Sequence, residues 1–445
     1  MNKTLFFYFA LCISIVTAQT PVKIGSLKQA NEKFKVGNYD GALEEYLLLK
    51  ENNPVDDKLD YNIAVCYLNT NIDKEKALPY LEKIVKLPKY DPNAMYLLGR
   101  AYHFSNRFDD ALKCYKEFRQ MGLGTEDNLA DVDLEIEYCY NAKEIIKFPI
   151  DFTFENLEKN INSQFPDYYP FISNDESFLL YNTRRDENSK MAVSGQYMSN
   201  VYVSYEKDGK WLKSKSIGEN INSVGGDEEI VGCSADGNTL IYNFDNNIGF
   251  GDIFIGPKEG SSFFTPIKLN QNINSREGEI SASISPDGKT LYFTSNRPGG
   301  YGGMDIYRAV KLPNGEWSQA YNLGKNINTQ FDEDFPTISK DGKTLYFSSK
   351  GHTSMGGYDI FKTMWSDSTN GWVNLKNVGY PINTSDDNMN LCMEDQGRYG
   401  YISALRKEGM GDLDIYRVVF NTVEPKYTLI TGLISSSDNV IKKIT

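Results

Sequence analysis

Five copies of one short motif constrain this sequence more than any other feature. Asn-Ile-Asn stands at 160–162, 220–222, 272–274 and 326–328, and Pro381-Ile382-Asn383 completes the set. The central isoleucines lie 60, 52, 54 and 55 residues apart. A period of this length exceeds a hairpin or a helix pair. Each copy must therefore head a larger unit, and successive units must bury their faces against one another.

Each copy leads into strand-like sequence. Ser285-Pro286-Asp287-Gly288-Lys289-Thr290-Leu291-Tyr292-Phe293 and Ser339-Lys340-Asp341-Gly342-Lys343-Thr344-Leu345-Tyr346-Phe347 set Asp-Gly between alternating apolar runs. This signals a hairpin, because glycine takes the positive φ of the tight turn. A glycine-rich loop comes next (299–303; 356–357), then a short third strand opening at Asp252, Asp305, Asp359 and Asp414, with Asn200 in the divergent first copy. A fourth strand opens at Trp211, Phe263, Trp317 and Trp372, each nine residues before the next motif. Four strands per unit and five units predict an all-β propeller over residues 148–420.

Counting predicts how the ring closes. The fifth unit ends near Phe420 without a fourth strand, while Pro149 to Leu157 stands alone ahead of the first motif, with Asp151 in the tryptophan position. The entering strand is expected to complete the last blade and so remove an exposed sheet edge. These repeats resemble the TolB-like and WD-like propeller repeats of bacterial envelope proteins.

A second, shorter period occupies residues 19–147. Ala42, Ala77 and Ala111 are 35 and 34 residues apart, each in an amphipathic helical pattern. Ala30, Phe34, Gly37, Tyr39 and Ala42 form one copy; Gly99, Tyr102, Phe108 and Ala111 form the third; the second carries a one-residue insertion. Small residues recur where two helices cross closely, and aromatics fill the space beside them. The pattern resembles the tetratricopeptide repeat, three copies plus a terminal helix over 130–146. The aromatics and His103 read as packing residues.

The N-terminus points to export. Lys3, an apolar run from Leu5 to Val16 and the small residues of Val16-Thr17-Ala18 describe a signal peptide cleaved after residue 18. The run is shorter than the ~20 residues that a spanning helix needs. Five cysteines remain (Cys66, Cys114, Cys139, Cys233, Cys392), with no Cys-x-x-Cys pair, so zinc and redox motifs are absent; one disulfide among the helices stays open. Formal charge is −13, or −14 once Lys3 leaves with the signal, and most of the excess lies in the propeller. Nucleic acid and anionic headgroups would be repelled.

Residues 421–445 read as a linker and the opening strands of a β-sandwich, where Thr428 to Gly432 resembles the start of a carboxypeptidase-regulatory-like domain. Nineteen residues from Tyr427 cannot bury a core. The expected class is thus an α + β multidomain chain: an N-terminal tetratricopeptide α-solenoid, a five-bladed all-β propeller, then the start of a β-sandwich. In this order the segments resemble OmpA-family envelope proteins of the PorE type, which implies a periplasmic place among outer-membrane and type IX secretion components. The resemblance implies envelope proteins as partners. Peptidoglycan would be held only through a C-terminal OmpA-like domain that this sequence lacks.

Three functions are weighed on the residues. A non-catalytic scaffold needs only the two repeat surfaces, no cofactor and no metal. A propeller enzyme acting on glycans needs an acid and a base or nucleophile in unlike environments, whereas Asp252, Asp305, Asp359 and Asp414 recur symmetrically and read as strand-start caps. Glycan or small-ligand binding in the propeller channel is the third. Serine hydrolase chemistry lacks support, with only His103 and His352 and no Gly-x-Ser-x-Gly. The acidic run Asp332-Glu333-Asp334 reads as a solvated loop.

Overall fold

The computed structural model describes residues 25–421, except 72, 174, 186–189, 224, 235, 246–250 and 395–396, together with the paired strands Ile434–Ser435 and Ile441–Lys442. The expected signal segment, 1–18, and the expected strand at 428–432 lie outside the described residues.

Seven helices come first: α1 (Leu27–Lys35), α2 (Tyr39–Asn52), α3 (Asp57–Leu68), α4 (Leu78–Ile84), α5 (Asn93–Phe104), α6 (Phe108–Met121) and α7 (Glu126–Ile145). Four of their starts are capped by side chains: Ser26, Asn38, Asp56 and Thr125 each accept a backbone N–H of the first turn. Helices pack as successive hairpins, α1 on α2, α3 on α4 and α5 on α6, with α7 covering the last. Ala42, Ala77 and Ala111 are fully buried. Gly99 lies under the Tyr115 ring, where a Cβ would come within 2.6 Å. One expectation needs correcting. Ala77 ends a 3-10 turn (Lys74–Ala77) and does not sit inside an α-helix. Asp73 takes a left-handed φ of 59° just before the turn.

The β region forms five antiparallel sheets around an axis. Blade 1 holds Asp167–Ile172, Phe178–Thr183 and Asn200–Lys207; blade 2, Glu228–Cys233, Thr239–Asp245 and Gly251–Glu259; blade 3, Glu279–Ile284, Thr290–Ser295 and Asp305–Val310. Blade 4 holds Glu333–Ile338, Thr344–Ser349, Asp359–Ser366 and a long outer strand, Gly371–Asn377. Fourth strands in blades 1 and 2 are split into two-residue pieces; in blade 3 the short strand Tyr321–Asn322 pairs with the third strand, and Trp317 makes an isolated bridge to Lys311. Trp211 and Trp372 reach sideways to the preceding blade, edge-on to Tyr401 and Tyr292.

Blade 5 closes the ring. Its strands Cys392–Met393, Tyr399–Ala404 and Asp414–Phe420 are completed by Phe152–Asn156, with Phe152 opposite Phe420 and Asn156 opposite Tyr416. The sheet that begins the propeller therefore also ends it.

The recurring motif is the joint between blades. Its last Asn accepts the backbone N–H of the isoleucine in the preceding third strand and returns its amide N–H to that isoleucine's carbonyl. The pairs are Asn162 with Ile415, Asn222 with Val201 in the valine variant, Asn274 with Ile253, Asn328 with Ile306 and Asn383 with Ile360, all at 2.7–3.0 Å. A side-chain amide thus imitates a strand's hydrogen-bond pair, and the central Ile is buried beneath it. Asn328→Ala orphans the buried Ile306 N–H. It is expected to lower unfolding free energy by about 1–3 kcal/mol, read as a lower midpoint in urea with unchanged slope. An unshifted midpoint would show that water replaces the clamp.

Candidate functional site

The helices are seated on one face of the propeller. Loops joining second to third strands and the segments leading into each blade share that face, since both meet the same strand ends. All the cross-contacts fall there. Tyr138 Oη donates to the Lys350 carbonyl (2.6 Å), Asn141 Nδ2 to the Ser354 carbonyl (2.9 Å) and Asn71 Nδ2 to Asp412 (2.8 Å), while Lys74 pairs with Asp386. Met355 is buried within the helical core cluster. His103 is the deepest link: its Nε2 lies 2.7 Å from the Met355 carbonyl, and its Nδ1 lies 3.6 Å from both Glu135 and Cys139.

Between the two parts lies a cavity of about 590 Å³. Helices α5 and α7 form its roof with Arg100, Asp131 and Glu135; the loops of blades 4 and 5 form its floor with Asp332, Lys350 and Asp387. Tyr96, Tyr115 and Tyr138 lend the roof aromatic surface. Most of these charges have partners. Lys350 pairs with Asp332 at 2.8 Å, and Glu135 accepts from Tyr115 Oη at 3.0 Å beside His103.

The propeller axis is filled nearby. Tyr169 of blade 1 and Phe335 of blade 4 meet across it with ring centroids 4.2 Å apart, and Tyr169 Oη lies 3.9 Å from Met389 Sδ. Tyr169 and Phe335 in their first strands, and Asn390 just before the first strand of blade 5, all have positive φ (51°, 48° and 56°). Non-glycine residues take this region at an energetic cost, typically where surroundings over-determine them. Blades 2 and 3 lack the feature, so the axis departs from repeat symmetry. The expected ligand space along the channel is thus displaced: about 40 Å³ remains near the opposite mouth, and the larger volume lies beside the axis under the helices.

The third-strand aspartates are loop caps. Asp305 accepts the N–H groups of Tyr301 and Gly302 and the amide of Asn322; Asp359 accepts Met355 N–H and Asn377; Asp414 accepts Met410 N–H and Asn156. Asp252 pairs with Lys268 at 2.6 Å. Asp305, Asp359 and Asp414 each hold a loop of their own blade, and Asp252 holds the fourth strand of blade 2. Among the described residues no group of three or more His, Cys, Asp and Glu side chains is arranged to hold a metal, and the five later cysteines are free thiols.

The acidic run departs from its solvated-loop expectation. Glu333 and Asp334 are buried, because they open the first strand of blade 4 and do not lie in a loop. Glu333 belongs to a second fivefold set with Asp167, Glu228, Glu279 and Asn388, each bonded to the Ser or Thr just after the Asn-Ile-Asn or Pro-Ile-Asn motif. The spacing, Ser or Thr then an acid four or five residues on, is visible in the sequence and is the signal that finds it. In blades 1 and 3 an arginine neutralises the acid, Arg185 on Asp167 and Arg297 on Glu279 (2.9 and 3.1 Å). Both arginines also bond the motif isoleucine's carbonyl. In blade 4 His352 takes that carbonyl at 2.8 Å, and burial holds its pKa below the ordinary value. Glu333 therefore gains no cation, and burial pushes its carboxyl up to about 7, with Asp334 up to about 6.

A raised acid pKa means that the folded state holds the proton longer. Stability is then greatest below the ordinary carboxyl range and falls as pH rises through about 7. Glu333→Gln should remove this fall. Asn388 shows that an amide serves at the same place. Melting temperature of the variant should exceed the parent's at pH 8 and match it at pH 5; a lower value at pH 8 would contradict the assignment.

The class that this architecture defines is a five-bladed β-propeller carrying a docked helical array. No family model matches the chain, and no curated protein matches it. Among solved structures, TolB from Acinetobacter baumannii shares 14% identity over 68% of this chain and 72% of that one, with a TM-score of 0.37. A putative TolB from Agrobacterium tumefaciens shares 16% over 61% and 97%, at 0.31. A protein described as a glycoside hydrolase shares 8% over 66% and 98%, at 0.43. At these identities and scores the comparisons carry nothing about activity.

Proposed function

We propose that the protein is a non-catalytic interaction protein of a bacterial cell envelope, exported by a cleaved signal and working in the periplasm beside outer-membrane or type IX secretion components. The helical array is read as three tetratricopeptide repeats plus a terminal helix, and the chain as a relative of the OmpA-family proteins of the PorE type. One observation carries the reading. The symmetric carboxylates are spent on capping loops inside the blades, while the helices and the propeller together enclose a polar cavity that neither part forms alone. Such a composite surface suits recognition of another protein. Among the described residues no helix is long and apolar enough to cross a membrane.

The test is affinity capture from envelope extract with the mature chain, beside sedimentation with purified peptidoglycan and a glycan-hydrolysis assay. Capture of outer-membrane or secretion components, weakened by salt as the acidic propeller implies, supports the proposal. Hydrolysis of a wall or capsule glycan, lost in a carboxylate variant that melts normally, would replace it with the enzyme reading. Tight peptidoglycan binding by this chain would also overturn it.

A further inference from the structure

The small cavity at the propeller mouth away from the helices, about 40 Å³, is walled largely by apolar side chains, Phe171, Ile284, Ile338 and Met393 among them. Lys340, from the turn between the first two strands of blade 4, also lines it. The residue is half-buried, but its Nζ is buried and among the described residues has no hydrogen-bond partner. No described carboxylate lines the cavity. Asp341, the neighbouring acid, is turned to its own loop, where it accepts from Ser339 Oγ and from the Lys343 N–H. The amine sits among groups of other blades, and its charge acts on the thiols of both Cys233 and Cys392, which line the same cavity.

The fold does not call for this amine. Pro286 holds the same place in the blade 3 turn, between Ser285 and Asp287, as Lys340 does between Ser339 and Asp341. A buried amine without a partner is unfavourable unless an opposite charge meets it. Two polar groups of the wall point to the same sign of ligand. Ser283 Oγ already accepts the Ile338 N–H at 3.0 Å, and Cys392 Sγ accepts the Ile172 N–H at 3.5 Å. What each has left to offer the cavity is a proton. The space exceeds the roughly 10–15 Å³ that one water needs and is far too small for a sugar or a peptide. Water would accept from the amine and still leave its charge unmet.

We propose that this mouth binds one small monovalent anion, a halide in the simplest case, held by Lys340 Nζ with the Ser283 hydroxyl and the Cys392 thiol as further donors. Apolar walls return little of the hydration that an ion gives up on entry. Bromide is therefore favoured over the strongly hydrated fluoride. The inference is independent of the interaction reading above.

Two measurements on the whole chain test it. Thermal melting is compared in sodium bromide and sodium fluoride at equal ionic strength, and the chloride NMR line width is followed as protein is added. Bromide should raise the melting temperature above its value in fluoride. The protein should broaden the chloride line, and excess bromide should sharpen it again. Lys340→Met, which keeps the length of the side chain without its charge, should weaken the broadening at least tenfold and abolish the bromide effect. In fluoride it should melt at or above the parent, since the unmet charge is gone. Lys343→Met, at an exposed lysine of the same turn, should change neither reading. Equal broadening by Lys340→Met and the parent would overturn the proposal. So would a chloride line that the parent leaves sharp, or broadening that bromide fails to reverse; the latter two need no variant to fold.

Discussion

A chain that begins at Asn160 should fail to form a stable propeller, whereas one that begins at Phe148 should melt cooperatively. The difference is the strand Phe152–Asn156, the outer strand of blade 5. Without it the edge Asp414–Phe420 is exposed, with its row of unpaired backbone groups, and exposed edges template aggregation. Phe152 and Phe154, both half-buried, pack on one another and on Phe420 and Tyr416, and each contributes a part of the about 1.5–3 kcal/mol that full burial of such a side chain is worth, beside the strand's backbone hydrogen bonds. Against a typical total of ~5–15 kcal/mol the loss is large. Both shortened chains lack the helices, so the comparison isolates the closing strand. Light scattering and thermal melting read the result, and equal cooperative melting of the two would show that the ring closes some other way.

The second large effect concerns how the helices hold their seat. Raising pH from 7 to 10 should loosen them. Burial alone would push the His103 pKa down. Its bonds to Cys139 and Glu135 outweigh that and hold it up at about 10, so the docked imidazole is cationic. Both ring nitrogens then donate, one to the Met355 carbonyl and one toward Glu135 and Cys139. Phe108 meets the ring edge-on, and Asp359 of blade 4 adds a further electrostatic contact. A histidine whose pKa is raised on docking contributes fully below its ordinary value near 6.5 and loses that contribution as pH climbs through about 10. Protection factors in α5 and α7, corrected for the base-catalysed rise in intrinsic amide exchange, should accordingly fall over this range while those in blades 1 to 3 change little. His103→Gln, which keeps a donor for Met355 but no charge, should start less protected and show a flat profile. An unchanged pH slope in that variant would refute the assignment.

The blades are legible in the sequence because each repeats its own chemistry. Asp-Gly turns, alternating aromatics and the recurring Asn-Ile-Asn are local signals that five copies amplify, and counting strands is enough to place the closing one. The hidden features depend on partners far away in sequence. Asn162 clamps Ile415, and His103 meets Met355, across separations with no period to reveal them. Glu333 and Asp334 look solvated because three acids in a row usually are; only the strand register places two of them inside. The second helical repeat looks regular at Ala77, although Lys74–Ala77 is a 3-10 turn running into the α-helix. The cavity is illegible for a plainer reason. It belongs to two domains at once, and neither repeat pattern encodes how one sits on the other.

The closing strand also sets how the molecule would carry a mechanical load. Phe152, where the strand begins after α7, faces Phe420, where its partner ends, so both chain directions leave the pair at the same end. Asn421 fastens that end through Asp151, by its backbone N–H to the carbonyl at 3.2 Å and by its side chain to the carboxylate at 2.8 Å. Tension between the helices and the segment beyond residue 421, once the helices leave their seat, therefore falls on one rung at a time. The strands peel from Phe152 toward Asn156 and are not sheared along all their rungs together. Peeling gives way at lower force than shear, and under load the unfolding rate decides survival. The ring is built with a seam that opens under tension, and blades 1 to 4 lie outside the line of pull.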